Sequence, residues 1–107
     1  MEAEVQRVAR EQLEAARNRR AKATADVART RHMNKLARDI DGGWARLTKL
    51  VEKSQYEQAM MVAIDLRDLA VRDGDQATFA ARFAALRKSQ MRRRGFFDRW
   101  KRMEKRP

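Results

Sequence analysis

Glycine occurs at only four of 107 positions, 42, 43, 74 and 95, and proline only at 107. These two residues most readily interrupt regular backbone. The stretches they leave, 1–41, 44–73 and 75–94, are long enough for helices of several turns. The punctuation therefore predicts an all-α chain and argues against a β fold, which needs a turn signal every few residues.

Hydrophobic spacing fills in those stretches. In residues 2–41, Val5, Val8, Leu13, Ala16, Ala23 and Val27 recur at helical intervals but form a thin stripe. Such a helix is weak alone and needs a partner face, either a second copy or a different subunit. A break is considered at 30–34, after which Met33, Leu36, Ala37 and Ile40 continue an apolar face. Asp41-Gly42-Gly43 is expected to terminate this segment, since glycine ends helices cheaply. Trp44, Leu47, Leu50 and Val51 then mark a short amphipathic helix.

The middle of the chain carries the clearest signals. Ser54-Gln55-Tyr56-Glu57 matches the S-x-x-E capping box, so a helix is expected from about Gln55. Its buried side would be Tyr56, Ala59, Met60, Ala63, Leu66, Leu69 and Ala70. Asp73-Gly74-Asp75 stops it, with Asp75 as the cap of the next helix, whose face is Phe79, Phe83 and Leu86. Helices over 55–72 and 76–90 joined so closely form an antiparallel αα-hairpin. The expected fold is thus a small helical bundle around a central αα-hairpin, with a long N-terminal helix. Three segments are expected: a basic helical 1–41, a helical core 44–90 and a basic aromatic extension 91–107.

Charge is distributed unevenly over these segments. The formal net charge is +11. Residues 44–86 hold six basic and six acidic side chains, whereas residues 87–107 hold ten basic against two acidic. In that last segment Phe96, Phe97 and Trp100 stand among Arg94, Arg99, Lys101 and Arg102. Cationic groups neutralise phosphates and release counterions, and rings or guanidinium planes can stack on unpaired bases.

With the middle segment in view a resemblance emerges. Trp44, Tyr56 with Ala59, the run Asp65-Leu66-Arg67-Asp68-Leu69-Ala70, Gly74, Phe79, Leu86-Arg87, a basic run and Phe96-Phe97 follow one another in order. This order resembles the helical C-terminal region of bacterial SWIM zinc-finger proteins, over about residues 40–100. The resemblance implies a piece of a tetratricopeptide-like helical array. The family's zinc finger uses Cys and His ligands, and this chain has no cysteine and a single histidine. Zinc and finger-based DNA binding are therefore not carried over.

Other chemistry finds little support. Without cysteine there are no disulfides, thiolate metal sites or cysteine nucleophiles. His32 has no carboxylate three or four residues away to complete a site and reads as a surface residue. Asp65 and Asp68 share a helix face, but Arg67 and Arg72 beside them point to ordinary ion pairing. Gly42-Gly43 lacks the Lys-Ser/Thr of a phosphate loop, and Ser54 and Ser89 have no base in sight. No catalytic residue, metal site or cofactor is expected. The N-terminus lacks the apolar stretch of a secretory signal, and no run approaches the ~18 apolar residues of a membrane span. A soluble, cytoplasmic protein is the expectation.

The functional expectation is a non-catalytic basic subunit that binds nucleic-acid backbone with little sequence readout, within a larger assembly. Its phosphate contacts would come from Arg92, Arg93, Arg94, Arg99, Lys101 and Arg102, with Arg17 and Arg20 of a second cluster. The competing expectation is a protein-interaction adaptor, or a self-associating chain, that uses helical faces. An anionic membrane surface is the third partner considered, with Phe97, Trp100 and Met103 as anchors.

Overall fold

A computed structural model describes residues 2–105. It contains five helices and, among the described residues, no strand: α1 (Glu2–Arg38), α2 (Ile40–Glu52), α3 (Tyr56–Asp73), α4 (Gln76–Ser89) and α5 (Arg94–Glu104). The all-α expectation, the hairpin and the long first helix are all present. None of the described helices is long and apolar enough to cross a membrane. The chain divides into two compact units, with the boundary between Asn34 and Lys35.

The first unit is helix alone. α1 runs without interruption through 30–34, where a break was considered. Thr30 lies in its helical stretch and returns its hydroxyl to the Asp26 carbonyl (2.9 Å), a bond that satisfies the side chain without disturbing the backbone ladder. Glu2 and Glu4 lie in the first turn, where negative charge suits the helix dipole. From residue 2 to residue 32 every side chain is exposed except the half-buried Ala16.

The second unit is a small bundle in which α3 packs against α2, α4 and α5. The chain turns at Asp39, not at Asp41-Gly42-Gly43. Asp39 caps α2 by accepting the Gly42 amide on its carboxylate (3.0 Å), so both glycines fall inside the first turn of α2. Their role here is room. A Cβ on Gly43 would lie 2.8 Å from Leu36 Cδ1 and 3.3 Å from Leu66 Cδ2, and one on Gly42 would collide with the capping carboxylate. The glycine pair was read as a terminator because the cap itself, one aspartate upstream, carries no distinctive signal.

Ser54 also departs from the expected role. It follows Lys53, the residue that closes α2, in the left-handed conformation at φ 58°, and is not the cap of α3. The Ser54 amide donates to the Val51 carbonyl (3.0 Å) and the Gln55 amide to that of Leu50 (2.9 Å), the paired closure of a Schellman motif. Gln55 is the residue before α3 and makes no side-chain cap. The same closure ends α3, where Gly74 has φ 70°, its amide donates to the Val71 carbonyl and the Asp75 amide donates to Ala70 (2.8 Å). At Gly74 the left-handed turn is made by the residue that adopts it without steric cost. Asp75 precedes α4 as expected, and its carboxylate accepts the Thr78 hydroxyl (2.9 Å).

Leu36, Trp44, Leu47, Val51, Ala59, Ala63, Leu66, Leu69, Ala70, Leu86, Phe96, Phe97 and Trp100 are buried. The expected α3 face is thus confirmed in its alanines and leucines, with Tyr56 and Met60 half-buried at its edge. Phe83 is the centre of a ring cluster that joins α4 to α5: its centroid lies 4.9 Å from Trp100, 5.7 Å from Phe97 and 6.3 Å from Phe96. Phe79 links this cluster to Trp44 of α2 (5.6 Å). Such ring pairs contribute about 0.5–1.5 kcal/mol each beyond the area they bury. The rings of the C-terminal segment are therefore core, and α5 is held by them.

Candidate nucleic-acid interface

The helical repeat of α5 separates packing from charge. Phe96, Phe97, Trp100 and Met103 fall on one side, three of them buried and Met103 half-buried. At about 100° per residue, Arg94, Lys101, Arg102 and Lys105 fall on the opposite side, around Asp98. All five are exposed. Two shallow grooves run along this side. Arg87, Met91, Arg94, Phe97 and Asp98 line the first, while Asp98, Lys101, Arg102 and Lys105 line the second. They meet at Asp98 and so make one basic edge extending from the end of α4 along the whole of α5.

Arg99 and Arg93 face elsewhere. Arg99 lays its guanidinium over the Tyr56 ring, 5.7 Å from the centroid, beside the turn between α2 and α3. Arg93 donates from Nη1 to Ser54 Oγ (2.7 Å) at the same turn. Arg99 also borders a shallow groove formed by Ser54, Gln55, Tyr56, Glu57 and Gln58. The close approach of α5 here depends on Gly95, where a Cβ would meet Tyr56 Cε2 at 3.1 Å. Arg92 is exposed in the turn that precedes α5.

The sequence-predicted residues are thus distributed over three places. Arg94, Lys101 and Arg102 share the basic edge. Arg93 and Arg99 flank the α2–α3 turn. Arg17 and Arg20 are exposed on α1, in the other unit. Sequence reasoning left Arg87 and Lys105 out of the site although both lie in the basic segment. Lys105 stands four residues after Lys101, and that spacing becomes a signal once the limits of α5 are known.

The rings do not join the cations. Phe96, Phe97 and Trp100 are 0%, 7% and 4% exposed, so they show almost no ring surface to solvent, although Phe97 borders the first groove and Met103 is half-buried. Trp100 also donates Nε1–H to Glu104 Oε1 (2.8 Å), which satisfies its one polar group. Tyr56, Trp44, Phe79 and Phe83 serve as packing, as their spacing implied.

Elsewhere charged groups pair with one another, both within and between helices. Arg67 donates to Asp68 (3.2 Å), and Arg72 donates from Nε to Asp73 (2.8 Å). The Arg72 bond holds the Asp73 carboxyl below its ordinary range. Arg82 bridges α4 to Asp41 of α2 (2.8 Å). His32 is exposed, and no three His, Cys, Asp or Glu side chains among the described residues cluster as metal ligands. Compared with family models, curated proteins and solved structures, the chain matches none.

Proposed function

We propose that this chain is a non-catalytic, basic helical subunit that binds nucleic-acid backbone with little sequence readout, as part of a larger assembly. The observation that carries the reading is the basic edge of α5. Four cations, Arg94, Lys101, Arg102 and Lys105, lie along about 16 Å of one rigid helix whose other side is fixed in the core. A rigid row of cations with no exposed ring favours phosphate contact over base contact, so the binding tracks the backbone. Asp98 in the middle of the row spaces the cations and lowers non-specific attraction.

The test is fluorescence anisotropy with labelled single- and double-stranded oligonucleotides over a salt series. Four phosphate contacts on duplex give a slope of log K against log salt of roughly −3.6, so affinity falls about 150-fold between 50 and 200 mM. Replacing Arg94→Glu and Arg102→Glu together should cut that slope to about half or less. Unchanged affinity and slope in the double variant would remove the basis of the proposal.

The second reading is a protein-interaction adaptor. It is favoured by large apolar side chains left outside the core, among them Met61 and Val71 on α3 at 66% and 57% exposure. It predicts no salt-dependent nucleic-acid binding and a stable complex with another protein. Retention of a partner by the native chain, lost on Met61→Glu, would support it.

A further inference from the structure

The charges of α1 divide by side. At about 100° per residue, Arg10, Arg17, Arg20 and Arg31 fall within a sector of about 80° and run along about 32 Å of the helix. Among residues 2–34, Glu2 at the start of the helix is the one acidic side chain in that sector. Glu4, Glu11 and Asp26 lie roughly opposite, and Glu14 stands at the border, four residues from Arg10. Arg7 and Lys22 lie on the acidic side, where Arg7 pairs with Glu11 (3.8 Å).

The four arginines of the sector are all exposed, and none makes an ion pair with another described residue. In the sequence, Arg17 and Arg20 stand out as a cluster. Arg10 and Arg31 join them because the helix runs unbroken through 30–34, which keeps Arg31 in register with the others. The result is a straight row of uncompensated cations.

Such a row selects its partner by stiffness. The helix fixes the arginines at intervals of about 10, 5 and 16 Å, so a polyanion that meets all four must hold its own charges over that length. Duplex DNA does so, with a persistence length of about 50 nm and one phosphate charge per about 1.7 Å of axis. A single strand has to be straightened on the helix, a cost that single-strand binders offset by stacking bases on aromatic rings. Residues 2–34 contain no Phe, Tyr or Trp. A membrane surface needs apolar anchors beside the cations, and Leu13 is the one large apolar side chain of residues 2–34 in the sector.

From this row we infer that α1 is a second nucleic-acid surface, on which Arg10, Arg17, Arg20 and Arg31 hold the phosphate backbone of a duplex. The inference rests on the nucleic-acid reading above and extends it, adding a surface in the first unit to the α5 edge in the second and naming the duplex as its ligand.

The test uses the full chain carrying Arg94→Glu and Arg102→Glu, in which the α5 edge is weakened, and the anisotropy of a labelled DNA duplex over a salt series. Adding Arg17→Gln with Arg20→Gln removes two contacts and should flatten the slope of log K against log salt by about 1.8. Arg10→Gln with Arg31→Gln should flatten it by the same amount. Arg7→Gln with Lys22→Gln makes the same change in net charge on the acidic side and should leave the slope as it was. Glutamine has nearly the helix propensity of arginine and lysine, so circular dichroism should show equal helical content throughout. A slope unmoved by the loss of Arg17 and Arg20, or no duplex binding by the α5-weakened chain at low salt, overturns the inference. Either result leaves the α5 edge standing, since that edge is tested by its own variants in the unmodified chain. Equal flattening by the Arg7 and Lys22 changes also overturns it, because overall charge would then be the cause. A single strand of the same length should bind the α5-weakened chain more weakly, and equal affinity overturns the assignment to a duplex. Vesicles of phosphatidylcholine and phosphatidylserine test the other anionic surface. Vesicle binding that is lost with Arg17 and Arg20 while the duplex slope stays unchanged would put a membrane on α1 and refute the inference.

Discussion

Replacing Phe96 by alanine tests whether α5 belongs to the core of the second unit. Phe96 is fully buried and touches the rings of Tyr56 (6.2 Å), Phe83 (6.3 Å) and Phe97 (5.0 Å). Burying such a side chain is worth about 1.5–3 kcal/mol, and the cavity left behind raises the total cost of removal to about 3–5 kcal/mol. A small domain is stable by only about 5–15 kcal/mol, so the loss is a large share of the whole. With a urea slope of about 1.5 kcal/mol/M, the unfolding midpoint should fall by roughly 2–3 M. The two tryptophans make the assay specific, since Trp44 lies on α2 and Trp100 on α5. In a Trp100→Phe background, Trp44 fluorescence reports unfolding of α2 alone. The midpoint seen by Trp44 should still carry the full shift on adding Phe96→Ala, because α5 and α2 meet through Phe79 and α3. Phe96→Leu, which keeps most of the volume, should cost less than about 1.5 kcal/mol and serves if the alanine variant is too unstable to measure. An unmoved Trp44 transition would refute the reasoning, since α5 would then unfold as an independent extension.

Two further outcomes can be checked in the same unit. Gly74→Ala should destabilise it by about 1–2 kcal/mol, read as a lower urea midpoint with unchanged slope, because a Cβ is strained at φ 70°; open space around the site rules out a packing cause. The Arg72 bond keeps the Asp73 carboxyl below its ordinary range, so the pair contributes stability above about pH 4 and loses it as acid protonates Asp73 at still lower pH. Thermal melts should show that Asp73→Asn narrows its gap to the unmodified chain as pH falls through that window; a constant gap would argue against the pair.

The hairpin was legible because its signals are local. Asp73-Gly74-Asp75 stops one helix and starts the next with backbone chemistry that depends on neighbours alone, and α3 and α4 lie close to where that chemistry puts them. The turn into α2 was less legible for the opposite reason. Gly42 and Gly43 are glycines because Asp39, Leu36 and Leu66 need the space, and no local pattern distinguishes a glycine that makes room from one that ends a helix. The capping box at Ser54 failed similarly: the motif was present, but closure of the preceding helix claimed the serine backbone and Arg93 claimed its hydroxyl.

The candidate site was legible in composition and not in arrangement. Spacing placed Phe96, Phe97, Trp100 and Met103 on one helical face and the cations on another, but could not say what that apolar face would meet. Phe79 and Phe83, more than a dozen residues away in sequence, settle that question. The rings once read as base-stacking partners thereby become the anchor that holds the basic edge in place.

Among the described residues three arginines place their guanidinium groups over rings: Arg82 over Trp44 (5.2 Å), Arg67 over Trp100 (5.6 Å) and Arg99 over Tyr56. The sequence holds nineteen arginines and only seven lysines, and these contacts give that preference a physical meaning. A guanidinium can roof an aromatic core with its face while its edge still offers hydrogen-bond donors to solvent or to a partner, which the compact ammonium of lysine cannot do. A version of this chain with every arginine changed to lysine would keep its +11 and lose the weatherproofing of its core.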